Sequence, residues 1–219
     1  MVGQGVLREC LREPVVGEVL AIGRSVIGRQ HAKLREIVRA DVADLAPVED
    51  RLSGYDACFF CLGVSSTGMK EADYRQKTYD LTLAVAERLA RLNPGMTFIY
   101  VSGTGTDSTE RGSSMWARVK GETENALLRL PFKAAYMFRP GIIRPLHGIR
   151  SKTRWYRMFY LVTGPLLALI QRCGPGLVTT TEQVGRAMIA AAGRGAPKTV
   201  LENRDINALG DPCASIGSA

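Results

Sequence analysis

The sequence predicts an α/β fold, a doubly wound parallel sheet with helices on both faces. Two features predict it. Short apolar runs alternate with longer stretches of helical period, the pattern of β-α-β units. The clearest run, Asp56-Ala-Cys-Phe-Phe-Cys-Leu62, is apolar on both strand faces, as a strand covered from above and below must be. A chain of 219 residues, with 46% hydrophobic and 23% charged residues, can bury one sizeable core.

The elements follow in order. Gly3 to Glu13 reads as a helix with Val6, Leu7, Cys10 and Leu11 on one face, ended by Pro14. Glu18 to Ile22 is a strand, Glu36 to Arg39 a second short strand, and Pro47 to Leu52 a short helix. After the apolar strand, Glu71 to Leu92 is a long helix, stopped by Asn93-Pro94-Gly95. Thr97 to Ser102 is a strand, Ser113 to Leu130 a helix, and Ala134 to Phe138 a strand running into Arg139-Pro140-Gly141. Thr179 to Ala192 is a helix with Thr179 and Glu182 at capping-box spacing and Gly193 at its far end. Thr199 to Glu202 is the last strand. One domain over residues 1–206 is expected, with a small cap at about 141–178 and a frayed tail from Asn207.

A doubly wound nucleotide-binding unit, the Rossmann type, opens with a strand, a glycine-rich turn and a helix. Here the helix comes first. If Gly3 is the last glycine of a G-x-x-G-x-x-G run, the first two lie upstream of Met1, and the expectation is a first strand missing from the sequence. Its neighbours, around Ala21 and Phe59, would then carry unpaired backbone groups at about 1–3 kcal/mol each.

The five cysteines form an odd set, and no secretory signal is recognisable, so a reducing, cytoplasmic setting is expected. Cys58 and Cys61 have C-x-x-C spacing, but an offset of three puts them on opposite faces of a strand, which suits packing rather than a metal or redox pair. No run reaches the roughly 18 apolar residues of a membrane span. The net charge of +8 is concentrated: between Lys133 and Thr181 stand eight basic residues and no acidic one. Such a patch suggests an anionic ligand or surface and not general affinity for nucleic acid.

Gly3 to Arg24, Asp56 to Val64, Phe98 to Asp107, Val119-Lys120-Gly121 and Arg139-Pro140-Gly141 together resemble the atypical short-chain dehydrogenases/reductases. The likeness is to the NAD(P)-binding, epimerase-like group that includes the Tat-interacting protein, and their order and spacing carry it. The resemblance implies a nicotinamide dinucleotide lying across the strand tips. Gly3 would pack the first helix beneath the pyrophosphate. Arg24, where an acidic residue would bond the ribose of NAD(H), favours the 2′-phosphate of NADP(H); a solvated strand-end arginine is the alternative. Asp41 and Val42 would contact the adenine, although Asp41 could equally cap the following turn. Leu62 and Gly63 would pass close to the cofactor, and Arg139, Pro140 and Gly141 would line its nicotinamide end.

The family uses a serine, a tyrosine and a lysine in a Y-x-x-x-K arrangement, which puts tyrosine and lysine on one helix face. Ser102 and Lys120 fit the serine and the lysine, with Lys120 bonding the nicotinamide ribose. Trp116 stands four residues before Lys120, and its indole offers an N–H donor but no titratable hydroxyl. The alternative for Lys120 is an exposed pair with Glu124 at i+4. Thr104, Ser113 and Ser114 are further hydroxyls nearby, Tyr100 belongs to the core, and His147 and His31 have weaker claims.

Three readings follow: an NADP(H)-dependent oxidoreductase- or epimerase-like protein with an unknown small-molecule substrate; a binder of NADP(H) that does no hydride chemistry; and a membrane-surface protein using the basic and apolar stretch 144–170. Self-pairing of the helix Glu71 to Leu92 would allow a homodimer.

Overall fold

The computed structural model describes residues 1–148 and 176–211. Parallel strands need long crossovers, and the chain supplies them as helices. Helix α1 (Val2–Arg12) is followed by β1 (Val19–Gly23), β2 (Leu34–Val38), a 3-10 turn at Ala46–Arg51 and β3 (Ala57–Phe60). Then come α2 (Glu71–Arg75), a π-helical turn (Gln76–Asp80), α3 (Leu81–Leu92), β4 (Thr97–Val101), α4 (Met115–Leu128) and β5 (Ala134–Arg139). The last elements are β6 (Ile142–Arg144), β7 (Val178–Thr180), α5 (Thr181–Arg194), β8 (Val200–Glu202) and α6 (Asn203–Leu209).

All the strand pairs are parallel. β3-β4-β5-β8 form one ladder, β1-β2 another, and β6-β7 a third. The ladder is broken between β1 and β3. The side-chain layers nevertheless cross the break. Val19, Phe59 and Cys61 pack with Val6 and Cys10 of α1, Ile99, Phe138 and Met188 on one face of the sheet. Leu20, Ile22 and Cys58 pack with Phe60, Phe98, Tyr100, Leu89 and Leu127 on the other. The Tyr55 hydroxyl ties the lower ends of the two strands by donating to Glu18 at 3.0 Å. Helices on both faces make the sheet doubly wound, as expected.

Several local expectations shift. The long helix is not uniformly α-helical: the π turn at Gln76–Asp80 interrupts it. Just before that turn, Arg75 pairs with Glu122 and Asp80 and lies 4.2 Å over the Tyr79 ring. The capping box is built by Thr180 and Gln183, one residue beyond the expected Thr179 and Glu182, because Val178 to Thr180 are held extended as β7. The helix closes at Gly195, with φ 81°, and not at Gly193. Asn207 to Leu209, read as the start of a frayed tail, end α6; Ile206 packs in the core, and the Asn207 amide donates to the Val178 carbonyl at 2.9 Å. Most of the expected cap and of the 144–170 stretch lies outside the described residues. Among the described residues no helix is long and apolar enough to cross a membrane.

Helix α1 reaches α5 closely because Gly5 and Gly185 lack side chains. A Cβ on Gly5 would stand 2.6 Å from Thr181 Cβ, and one on Gly185 would stand 2.8 Å from Glu9 Cγ. Gly5→Ala should therefore cost about 1–3 kcal/mol. Gly17→Ala, where a Cβ meets nothing within 4 Å, should stay within about 0.5 kcal/mol. Denaturant melts of the two variants check this, and equal midpoints would contradict the packing account.

Candidate functional site

The carboxyl ends of β1, β3, β4 and β5 set out the candidate site, because in a parallel sheet those ends share one edge. Arg24 follows β1, Cys61-Leu62-Gly63 follow β3, Ser102 follows β4, and Pro140-Gly141 follow β5. Helix α4 brings Lys120 to the β4 tip, where its Nζ donates to the Ser102 carbonyl at 2.5 Å.

Beneath that tip lies a buried polar network. Glu124, 1% exposed, accepts from the Ser102 hydroxyl at 2.5 Å and from Arg139 Nε at 3.0 Å, and also pairs with Arg139 Nη2. Arg139 further donates to Ser108 Oγ at 2.5 Å and to Glu202 at 3.3 Å. The Arg139 guanidinium is raised further above its usual value, first by its hydrogen bond to Glu124. Glu124 thus turns to Arg139 and Ser102, and the alternative placement of Lys120 in an exposed pair with Glu124 is not formed. Burial, the main cause, holds the Lys120 ammonium down to about 8, and the Glu124 charge only partly offsets it.

This geometry redistributes the roles expected from sequence. The Ser102 hydroxyl is turned inward. The exposed hydroxyl at the β4 tip is Thr104, whose Oγ1 donates to the Arg139 carbonyl at 3.1 Å while its amide donates to Pro140 at 3.0 Å. Arg139 braces the strand tips. Gly141 does come close to something, but to its own chain: a Cβ there would stand 2.6 Å from the Leu177 carbonyl oxygen. Its amide donates to Asn203 Oδ1 at 2.8 Å. Gly3 lies close to the end of β3, its would-be Cβ 3.4 Å from Cys61. Leu62 and Gly63 are exposed, and a Cβ on Gly63 would meet nothing within 4 Å. That open space is one a cofactor can fill. Asp41 accepts from the Ala43 amide at 2.9 Å, the turn-capping arrangement, and Val42 is buried.

The loop after β4 is organised by Asp107, which accepts from Thr109 and, at 2.6 Å, from the Gly112 amide. Those hydrogen bonds, Thr109's foremost, push its carboxyl down to about 2. Trp116 lies against this loop, and a Cβ on Gly105 would stand 3.3 Å from its ring. His147, with φ 57°, is tied to α5 through Glu182 at 2.7 Å. His31 accepts from the Lys33 amide at 3.2 Å within a turn. Cys58 and Cys61 face opposite layers, and burial raises both thiols to about 12. Among the described residues no cluster of histidine, cysteine and carboxylate could hold a metal. Sequence reasoning missed Glu124 as the centre of the network. The available signal was a carboxylate on the same helix stripe as Ala117, Thr123 and Leu127.

No family model matches the chain. It is 27% identical over 144 residues to protein HTATIP2 of Rattus norvegicus, covering 64% of this chain and 58% of that one. It is 28% identical over 161 residues to the mitochondrial protein fmp52 of Emericella nidulans, covering 70% and 66%. The matched stretches thus span about three fifths of those relatives' lengths. These likenesses support the resemblance to the atypical, epimerase-like short-chain dehydrogenases/reductases. The fold is also that of the Bordetella bronchiseptica enzyme WbmF, solved with NAD+, at TM-score 0.63 and 15% identity, covering all of this chain and 76% of that one. The glucuronic acid dehydrogenase of Chromohalobacter salexigens matches at TM-score 0.61 and 17% identity, covering 91% and 71%. In this chain Lys120 stands at the β4 tip, and Trp116 lies four residues before it on α4.

An unfolded lysine titrates near about 10.4, and folded Lys120 titrates at about 8. Between those values the unfolded chain binds more protons, so this group makes stability rise with pH. Wild type should therefore gain stability relative to Lys120→Met as the pH goes from about 8 to 10. Urea melts across that window read the difference. A flat difference would mean that Lys120 is not perturbed.

Proposed function

We propose that the chain binds NADP(H) across the strand tips and serves oxidoreductase- or epimerase-type chemistry on a small molecule. The observation that carries this is Lys120: a cation held at the β4 tip by the Ser102 carbonyl, with no carboxylate paired to it among the described residues, at the same strand-tip edge where Gly63 leaves open space. Such an ammonium suits a ribose diol. Arg24, at the far end of the same edge, suits the phosphate on the adenosine ribose. The dinucleotide would supply hydride chemistry when bound. The chain's own residues orient it: Lys120 at the nicotinamide ribose, Arg24 at the adenosine end, and Thr104 as an exposed hydroxyl at the β4 tip.

Trp116 favours a second reading, in which the protein holds the dinucleotide without turning it over. The indole presses on the Gly105 loop at the position from which a tyrosine would deliver its proton.

Fluorescence titration should show tighter binding of NADPH than of NADH, and equal or reversed affinities would overturn the assignment of Arg24. NADPH oxidation with a panel of carbonyl compounds separates the two readings. Turnover by wild type supports the enzyme. Turnover gained only in Trp116→Tyr supports the holder.

A further inference from the structure

The tips of β1 and β2 hold two arginines side by side. The strands pair in register from Val19↔Leu34 to Gly23↔Val38, and the Arg39 amide extends the ladder by donating to the Gly23 carbonyl at 2.9 Å. The next position on each strand is Arg24 and Arg39. Like charges at neighbouring register positions repel, so this placement is unfavourable unless an anion lies between them.

Their partners do not remove the difficulty. Among the described residues no carboxylate pairs with Arg24, which is exposed. Arg39 reaches Asp44 through Nη2 alone, at 3.1 Å to the carboxylate and 3.3 Å to the carbonyl, while its Nε is buried without a hydrogen-bond partner. Asp44 is half exposed, so this pair is weak and easily exchanged. The other nearby acids are engaged elsewhere: Glu36 accepts from the Ile27 amide at 2.6 Å, and Asp41 accepts from the Ala43 amide. Beside the arginines, Val26, Ile27 and Val38 are exposed apolar side chains, a surface suited to the flat face of a base.

We propose that Arg39 joins Arg24 in a two-arginine clamp for the phosphate monoester on the adenosine ribose, and so sets the preference for the phosphorylated dinucleotide. The inference rests on the dinucleotide reading above. Two guanidinium forks surround a dianionic phosphate better than one, and Arg39 can turn its Nε and Nη2 edge from Asp44 toward the phosphate.

Calorimetric titration of the purified chain with NADPH, NADH, 2′-AMP and adenosine tests it. Arg39→Gln should weaken NADPH and 2′-AMP by about tenfold or more, the loss expected for one charge-assisted bond, and leave NADH and adenosine unchanged. Arg39→Lys should fall between. Asp44→Asn, which releases Arg39, should strengthen NADPH and leave NADH unchanged. Should Arg39→Gln fail to fold, the lysine and Asp44 variants carry the same test. If Arg39 variants leave NADPH unchanged while Arg24→Gln abolishes the preference, the clamp falls and the dinucleotide reading stands. Equal losses for NADPH and NADH would reduce Arg39 to a loop support and overturn the clamp. If wild type prefers NADH, both the clamp and the NADP(H) assignment fall.

Discussion

The contact between Glu124 and Arg139 fixes the candidate site. It joins helix α4 to the end of β5, and through Ser102 it reaches the end of β4. Three elements that carry site residues are thus held by one carboxylate. Breaking a buried pair on one side costs about 3–5 kcal/mol, because the remaining charge stays in a poor solvent. Replacing both partners with apolar groups can cost little, but it would remove the acceptor that turns the Ser102 hydroxyl inward, beside the carbonyl to which Lys120 donates. The network therefore matters more for positioning than for stability, and the Ser108 and Glu202 contacts extend the same bracing to the loop after β4 and to β8.

The sheet shows how side-chain layers and backbone ladders can part company. β1 and β3 share both hydrophobic layers but exchange no hydrogen bonds. Area burial is not directional, whereas a ladder needs neighbouring strands at about 4.8 Å. Helix α1 lies under the break, and the Tyr55 contact to Glu18 spans its lower end. The strands flanking the break are only partly buried although their residues are apolar, while β4, paired on both sides, is almost wholly buried.

What the sequence made legible follows from period and punctuation. Gly3 to Glu13 and Ser113 to Leu130 declare themselves by spacing, and the runs at Asp56 and Thr97 by apolar content. The π turn was not legible, because no local period or punctuation in Gln76–Asp80 distinguishes it from an α-helical turn. The one-residue shift of the capping box depended on β7, which exists only because β6 pairs with it. At the site, Arg24, Gly63 and Lys120 could be placed from the order of the elements. The inward turn of the Ser102 hydroxyl could not, since it is decided by Glu124, a residue that in sequence looks like an ordinary i+4 partner for Lys120. Local charge spacing proposes a pair, and burial decides which pair forms.

The electrostatics of the edge argue for binding ahead of proton transfer. Burying an ammonium without a carboxylate partner costs free energy, and that cost appears as the depressed Lys120 value. Two guanidinium groups at the β1 and β2 tips, one of them held only by an exposed pair with Asp44, add repulsion at the other end. Both terms are relieved by a ligand with acceptor oxygens at one end and negative charge at the other, which is the charge layout of a phosphorylated dinucleotide. No comparable tension exists at Trp116, which rests against Gly105 as a packing group. The electrostatic tension of this edge therefore lies at Lys120 and at the β1 and β2 tips, and not at Trp116.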